Sequence, residues 1–259
     1  QELYVIKGLK PNLLGIPAII DLNIATRLDA TAPSDIISLY PTLFQGLGTM
    51  GEPYEIQLGP NPTPHAIFTP RRVPLPLREK VRKELDRMES LGVISKVEEP
   101  SSWCAGMVAV PKKDGSVRIC VDLRPLNKCV MRETHPLPKV DDILAQISGG
   151  VMFSKLDANS GFWQVPLAKN SQHLTTFLIH FGRYKFNKLP FGICSAPVVF
   201  QKRMNQILQG LHGVLCLIDD VLVFCRTQLE HVIRLYALLQ CLRSSGVTLN
   251  EKKCSFFLR

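Results

Sequence analysis

Apolar and polar positions alternate along this chain with a period that changes from segment to segment, and the period decides the element. Leu77, Val81, Leu85, Met88 and Leu91 share one face of a 3.6-residue repeat with charges opposite, and Gly92 is placed to end it, which predicts a helix. Met107 to Val110 and Val117 to Val121 are short apolar runs flanking Pro111-Lys112-Lys113-Asp114-Gly115-Ser116. Its Asp-Gly predicts a β-hairpin with two lysines at the tip. Pro138 to Ile147 reads as a short helix, and Val151 to Leu156 as a strand that delivers Asp157 at its end. Residues 174–188 predict a hairpin around Phe181-Gly182-Arg183. Phe200, Met204, Ile207 and Leu208 follow Pro197 at helical spacing, so a helix is expected from Ala196 to Leu211. Two further apolar runs, Leu215 to Ile218 and Val221 to Phe224, meet at Asp219-Asp220, a hairpin with two acids at its tip. A last helix starts at Thr227, where Glu230 completes a capping box, and ends at Gly246. Strands and helices interleave, so the expected fold class is α+β with an antiparallel sheet.

The first 28 residues are apolar and orderly, with a short helix expected to begin at Pro17. Between residues 29 and 76 prolines keep returning, from Pro33 to Pro76, which predicts an extended connector with a strand or two, such as Tyr54 to Leu58. A domain boundary is expected between residues 30 and 45. A hydrophobic share of 46% over 259 residues is enough for a core, yet the longest apolar runs stop well short of the ~20 residues that span a bilayer. No basic-then-apolar signal segment opens the chain, so no membrane partner is expected and the default location is cytosolic or nuclear. The eight cysteines form no C-x-x-C pair and mostly lie inside apolar runs, as reduced core residues do, so neither disulfides nor zinc are expected. The chain opens on Gln1 and closes on apolar sequence, as a piece of a longer polypeptide would.

Charge narrows the partner. A net +9, from 31 basic and 22 acidic residues, suits a polyanion, although a soluble basic protein without one would read the same. Asp219-Asp220 sharpens this. Hairpin tips favour Asn-Gly or Asp-Gly for their tolerance of positive φ, so two adjacent acids are not what turn geometry alone selects. They repel one another unless a divalent cation lies between them and a further acid; a solvated acidic turn is the alternative. Asp157 supplies that further acid if its strand lies beside the Asp219-Asp220 hairpin, although on its own it reads better as a helix N-cap. Three carboxylates with two magnesium ions, plus the Lys112-Lys113 tip, point to phosphoryl or nucleotidyl transfer. A two-metal nuclease would share the acids but have no use for the lysines.

Four segments, in this order, carry a resemblance: Val117-Arg118-Ile119-Cys120-Val121-Asp122-Leu123-Arg124-Pro125-Leu126-Asn127, Phe153-Ser154-Lys155-Leu156-Asp157-Ala158-Asn159-Ser160-Gly161-Phe162-Trp163-Gln164, Leu189-Pro190-Phe191-Gly192-Ile193 and Ile218-Asp219-Asp220-Val221-Leu222-Val223-Phe224. They resemble the ordered motifs of reverse transcriptases from gypsy-type long-terminal-repeat retrotransposons. The resemblance implies a right-hand polymerase with fingers and palm over residues 77–259, its thumb absent or truncated. It implies the copying of an RNA or DNA template from a primer with dNTP and Mg2+, Mn2+ being the alternative ion. Asp157, Asp219 and Asp220 would take the places of the catalytic, metal-binding triad. Lys112 or Lys113 and Arg118 match residues that hold the incoming triphosphate. Phe162 matches the ring that excludes a ribose 2′-hydroxyl, although a core aromatic would look the same. Phe191-Gly192 matches the segment beside the nucleotide, and Lys253 a lysine that protonates pyrophosphate. Leu217 stands where the family usually has a primer-contacting tyrosine. Residues 1–28, through Tyr4 to Leu9 and Leu13 to Ile19, resemble the closing part of a retroviral-type aspartic protease, although no Asp-Thr-Gly or Asp-Ser-Gly occurs in the chain. An inactive nucleic-acid-binding remnant of a retroelement is the non-enzymatic alternative, and an intracellular setting, including a virus-like particle, is implied. Oligomeric state is not set by the sequence.

Overall fold

The structure is a computed structural model that describes residues 33–133, 135–136 and 145–258. The helix expected at Pro17, the protease-like segment and most of the helix expected over 138–147 lie outside the described residues; residues 145–147 are helical. The chain divides into two compact units, Gln1–Leu39 and Tyr40–Arg259. Helix α1 (Pro33–Leu39) belongs to the first.

The second unit runs α2 (Leu75–Ser90), β1 (Ile94–Lys96), β2 (Ala105–Pro111), β3 (Val117–Val121), α3 (Arg124–Asn127), β4 (Met152–Asp157), α4 (Lys169–Gln172), β5 (Phe177–Ile179), β6 (Gly182–Phe186), α5 (Ala196–Ile207), β7 (Val214–Leu217), β8 (Asp220–Cys225), α6 (Gln228–Ser244) and β9 (Ser255–Leu258). Helix α2 begins with Pro76 in its first turn, where a missing N–H costs nothing, and buries Val81, Leu85 and Met88. Its end is a Schellman turn: Gly92 takes φ +67, and Val93 N donates to Met88 O at 2.9 Å. At α6 the Thr227 hydroxyl accepts from Glu230 N, but the Glu230 carboxylate reaches back to Arg226 N, one residue outside the cap, so the capping box is displaced by a residue. Helix α5 ends at Ile207, four residues before the expected Leu211.

Two sheets result. The five-stranded one has the order β1-β6-β5-β2-β3 and contains one parallel pair, β2 with β5, where Ala105 faces Phe177. The four-stranded one, β7-β8-β4-β9, is antiparallel throughout. Helix α6 covers that sheet, burying Leu235, Leu238, Leu239 and Leu242 against a face that includes Leu156, Val221 and Val223. From Tyr40 onward the proline-rich stretch is tied to this unit by backbone bonds from Met50 to Gln164, Tyr54 to Pro166, Gly59 to Cys129 and Ile67 to Cys104. Instead of the strand expected from Tyr54 to Leu58 there are only isolated bridges, Tyr54 with Leu167 and Leu58 with Val130. Pro53 and Pro60, flanking it, have no N–H to extend a ladder. All eight cysteines carry free thiols. No helix among the described residues is long and apolar enough to cross a membrane.

Candidate active site

The two acidic segments converge because the strands that carry them are neighbours. In the β4/β8 ladder Asp157 lies opposite Asp220, and Ile218-Asp219 forms the turn between β7 and β8. Ala158 N donates to Asp219 O at 2.9 Å, which ties the apex of that turn to the end of β4. The turn is held in an unusual shape. Ile218 adopts φ +53, a left-handed conformation costly for a β-branched residue. Gln201, fully buried on α5, straddles it: its Oε1 accepts from Ile218 N at 2.7 Å and its Nε2 donates to Cys216 O at 3.0 Å. On the other side Gly161 leaves room for the acid, since a Cβ there would come within 2.5 Å of Asp219 Oδ1 and 2.9 Å of the Phe200 ring.

Charge distribution follows from this packing. Burial, then the nearby Asp157 carboxylate, pushes the Asp219 carboxyl up to about 6, against relief from Lys253. Asp219 Oδ1 is buried with no hydrogen-bond partner among the described residues. The other two acids are neutralised by lysines: Lys253 Nζ lies 3.2 and 3.1 Å from the two Asp157 oxygens, and Lys155 Nζ lies 3.1 Å from Asp220 Oδ1. The Asp157 strand thus lies beside the Asp219-Asp220 hairpin, as the sequence required for the acids to meet. Among the described residues no three His, Cys, Asp or Glu side chains form a group ready to hold a metal ion. The two lysines offset the mutual repulsion of these carboxylates. Beside them, the Cys216 thiol is pushed up to about 12 by burial and by Asp219 and Asp220, so it is no nucleophile.

The remaining expected residues fall into three places. Phe162 is buried, 4.9 Å between ring centroids from Phe191 and 5.7 Å from Phe200. It is thus a core aromatic by packing while lying in the turn that follows Asp157. Phe191 is half exposed, and Gly192, at φ +99, is held by Asn127, whose Nδ2 donates to Gly192 O and whose Oδ1 accepts from Cys194 N. Leu217, partly exposed, ends β7 opposite Asp220. Lys112, Lys113 and Arg118 are exposed on the β2/β3 hairpin, in the other sheet, and its tip is tethered by Lys80 Nζ donating to Gly115 O at 2.8 Å. Lys155, Gln201, Gly161 and Asn127 are the site residues that sequence reasoning left without a role. Lys155 had the one available signal, since a strand residue two before Asp157 shares its face.

A family model described as reverse transcriptase (RNA-dependent DNA polymerase) matches residues 110–259. The enzymatic polyprotein of cauliflower mosaic virus (strain Strasbourg) is 33% identical over 183 residues, 70% of this chain and 27% of that protein. The transposon Tf2-3 polyprotein of Schizosaccharomyces pombe is 33% identical over 190 residues, 72% of this chain and 14% of that protein. The chain thus spans 27% or less of the length of these relatives. In fold it is similar to the native prototype foamy virus protease-reverse transcriptase, with a TM-score of 0.79 at 24% identity, covering 86% of this chain and 30% of that one. The foamy viral protease-reverse transcriptase in complex with RNA/DNA hybrid gives a TM-score of 0.77 at 23% identity, again covering 86% and 30%. The paired strands that bring Asp157 to Asp219-Asp220 thus lie within a match that takes in more than half the sequence, and the chain belongs to the reverse transcriptase (RNA-dependent DNA polymerase) family.

Proposed function

We propose that this chain is the fingers and palm of a gypsy-type retroelement reverse transcriptase, transferring a nucleotide from dNTP to a primer 3′-OH on an RNA or DNA template. The observation that carries the reading is the Asp157/Asp219/Asp220 constellation at one end of the antiparallel sheet, with Asp219 Oδ1 buried and without a hydrogen-bond partner among the described residues. Hard carboxylate oxygens suit Mg2+ or Mn2+, and a buried oxygen lone pair without a donor is what a cation would satisfy. Asp157 and Asp219 would hold the ions, with Asp220 beside them. When bound, a divalent cation would make the primer hydroxyl a better nucleophile and neutralise charge on the departing pyrophosphate.

The chain's own residues do the rest. Lys112, Lys113 and Arg118 are exposed and carry the positive charge that a triphosphate needs, Arg118 as a planar fork and the lysines as point charges. Phe162, backed by Phe191 and Phe200, offers a rigid ring against the sugar. Lys253, whose ammonium pairs with Asp157 beside the acids, would be the proton donor to pyrophosphate. A preceding protease segment in residues 1–28 agrees with the foamy virus protein, a protease-reverse transcriptase by name.

Primer extension decides. A piece of the polyprotein carrying this chain and the sequence after it, given oligo-dT on poly-rA with dTTP, is expected to incorporate nucleotide only with Mg2+ or Mn2+, and Asp219→Asn to abolish incorporation. No metal-dependent incorporation would overturn the polymerase reading, and metal-dependent cleavage without dNTP would favour a nuclease.

A further inference from the structure

The outer strand β9 does not pair evenly with β4. Phe153 lies opposite Leu258 and Lys155 opposite Ser255, so one residue of β4 is matched by two of β9 and the register shifts between the pairs. That is a β-bulge, with Phe256 and Phe257 both facing Ser154. Phe257 adopts φ +54, a conformation that glycine takes freely and phenylalanine does not.

A side-chain clamp holds the irregularity. Phe257 N donates to Ser154 Oγ at 3.1 Å, in place of a ladder bond to backbone. The same Oγ lies 2.7 Å from Nε2 of His231, which reaches across from α6, and the imidazole meets the Phe257 ring at 5.5 Å between centroids. Ser154 and His231 are both fully buried, and His231 Nδ1 has no hydrogen-bond partner among the described residues. An apolar pair at these two positions would remove the unpartnered imidazole nitrogen. What such a pair would lack is an acceptor for the bulged N–H.

The bulge sets what faces the site. Continued from the Phe153–Leu258 pairing, the register would bring Cys254 opposite Asp157, four residues along each strand. Counted from Lys155–Ser255, beyond the bulge, two residues along the chain on each side lead to Asp157 and to Lys253, which closes the 3-10 turn Glu251–Lys253 just ahead of β9. Lys253 is the residue whose ammonium meets both Asp157 oxygens, and Asn250 N donates to Asp157 O at 2.8 Å on the far side of it. A one-residue slip would exchange the charged side chain for a thiol. We propose that Ser154 and His231 are positioning residues, which pin the β9 bulge and so select Lys253 rather than Cys254 to face Asp157. What Lys253 contributes to the reaction rests on the polymerase reading; the selection itself does not.

Two measurements on the full chain test this. In Ser154→Ala, amide exchange at Phe257 and across residues 250–258 is expected to speed at least tenfold, while α6 and β8 keep their protection. His231→Gln, which retains a polar group at that reach, is expected to preserve protection where His231→Leu loses it. In the extended polyprotein piece, Ser154→Ala is expected to lower kcat about tenfold at unchanged KM for primer-template. Lys253→Ala lowers it likewise, and the double variant is no slower than Lys253→Ala alone. A Phe257 amide still protected in Ser154→Ala, or losses that multiply in the double variant, would overturn the assignment. Should even the unaltered protein fail to incorporate nucleotide, the polymerase reading falls, and the exchange data still decide the bulge.

Discussion

Asp219 is where the fold works against its own ionisation. Burial and the Asp157 charge hold its carboxyl up at about 6 rather than the usual 3.8. The folded state therefore binds this proton more tightly than the unfolded chain does. Its contribution to stability is complete below pH 4 and is lost as pH rises from about 4 through about 6. Asparagine keeps the shape and never ionises. In metal-free buffer Asp219→Asn is thus expected to match the unaltered protein at pH 4 and exceed it at pH 7, by about 2 kcal/mol after allowing for partial exposure, in chemical denaturation. Adding Mg2+ or Mn2+ should raise the midpoint of the unaltered protein and leave Asp219→Asn nearly unmoved. Equal stability of the two proteins at pH 7 would show that the carboxylate is not strained in the fold.

One level up, the elements decide which residues meet. Helix α5 and the β7/β8 hairpin are joined through Gln201, which satisfies both Cys216 O and Ile218 N around a left-handed isoleucine. Gln201→Leu keeps the volume and leaves two buried backbone groups unpaired, at a cost of about 1–3 kcal/mol each. The turn that carries Asp219 is then free to relax toward an ordinary φ. Thermal unfolding should show the loss of stability, and primer extension a kcat lowered at least tenfold with KM for dTTP little changed. Full activity in a destabilised protein would mean that the turn keeps its shape unaided. The sequence made such elements legible where their signals are local: the α2 face with Gly92, the Asp-Gly hairpin, Thr227 with Glu230, and the apolar runs meeting at Asp219-Asp220. It gave no sign of the parallel β2/β5 pair, since Ala105 and Phe177 meet across 72 residues. Strand β9 was equally hidden, because Ser255–Leu258 is too short and apolar to show an alternation. The family motifs made Asp157, Asp219 and Asp220 legible as candidates. Lys155, Gln201 and His231 read as unremarked polar positions in apolar stretches, because their roles depend on what lies opposite them in space.

Across the whole molecule the dominant property is charge. The excess of 31 basic over 22 acidic residues is unevenly used. At the sheet end that holds Asp157 and Asp220, lysines 253 and 155 are consumed in pairs with acids, and Arg71 and Arg124 share Asp122. Lys112, Lys113 and Arg118 stand exposed on the β2/β3 hairpin, where charge is available to a ligand. A nucleic acid bound by this surface would displace counterions from its phosphates, and the binding constant would fall with salt in proportion to the phosphates contacted, with a log–log slope of about −0.9 for each in duplex DNA. Binding of a labelled primer-template between 50 and 200 mM salt is therefore expected to weaken by well over tenfold. Lys112→Gln with Lys113→Gln should act differently, because the proposed function sets these lysines against the triphosphate rather than the duplex. The pair is expected to raise KM for dTTP about tenfold and leave the salt slope for primer-template unchanged. A slope reduced by about two, with KM for dTTP unaltered, would move the hairpin from the nucleotide to the template strand.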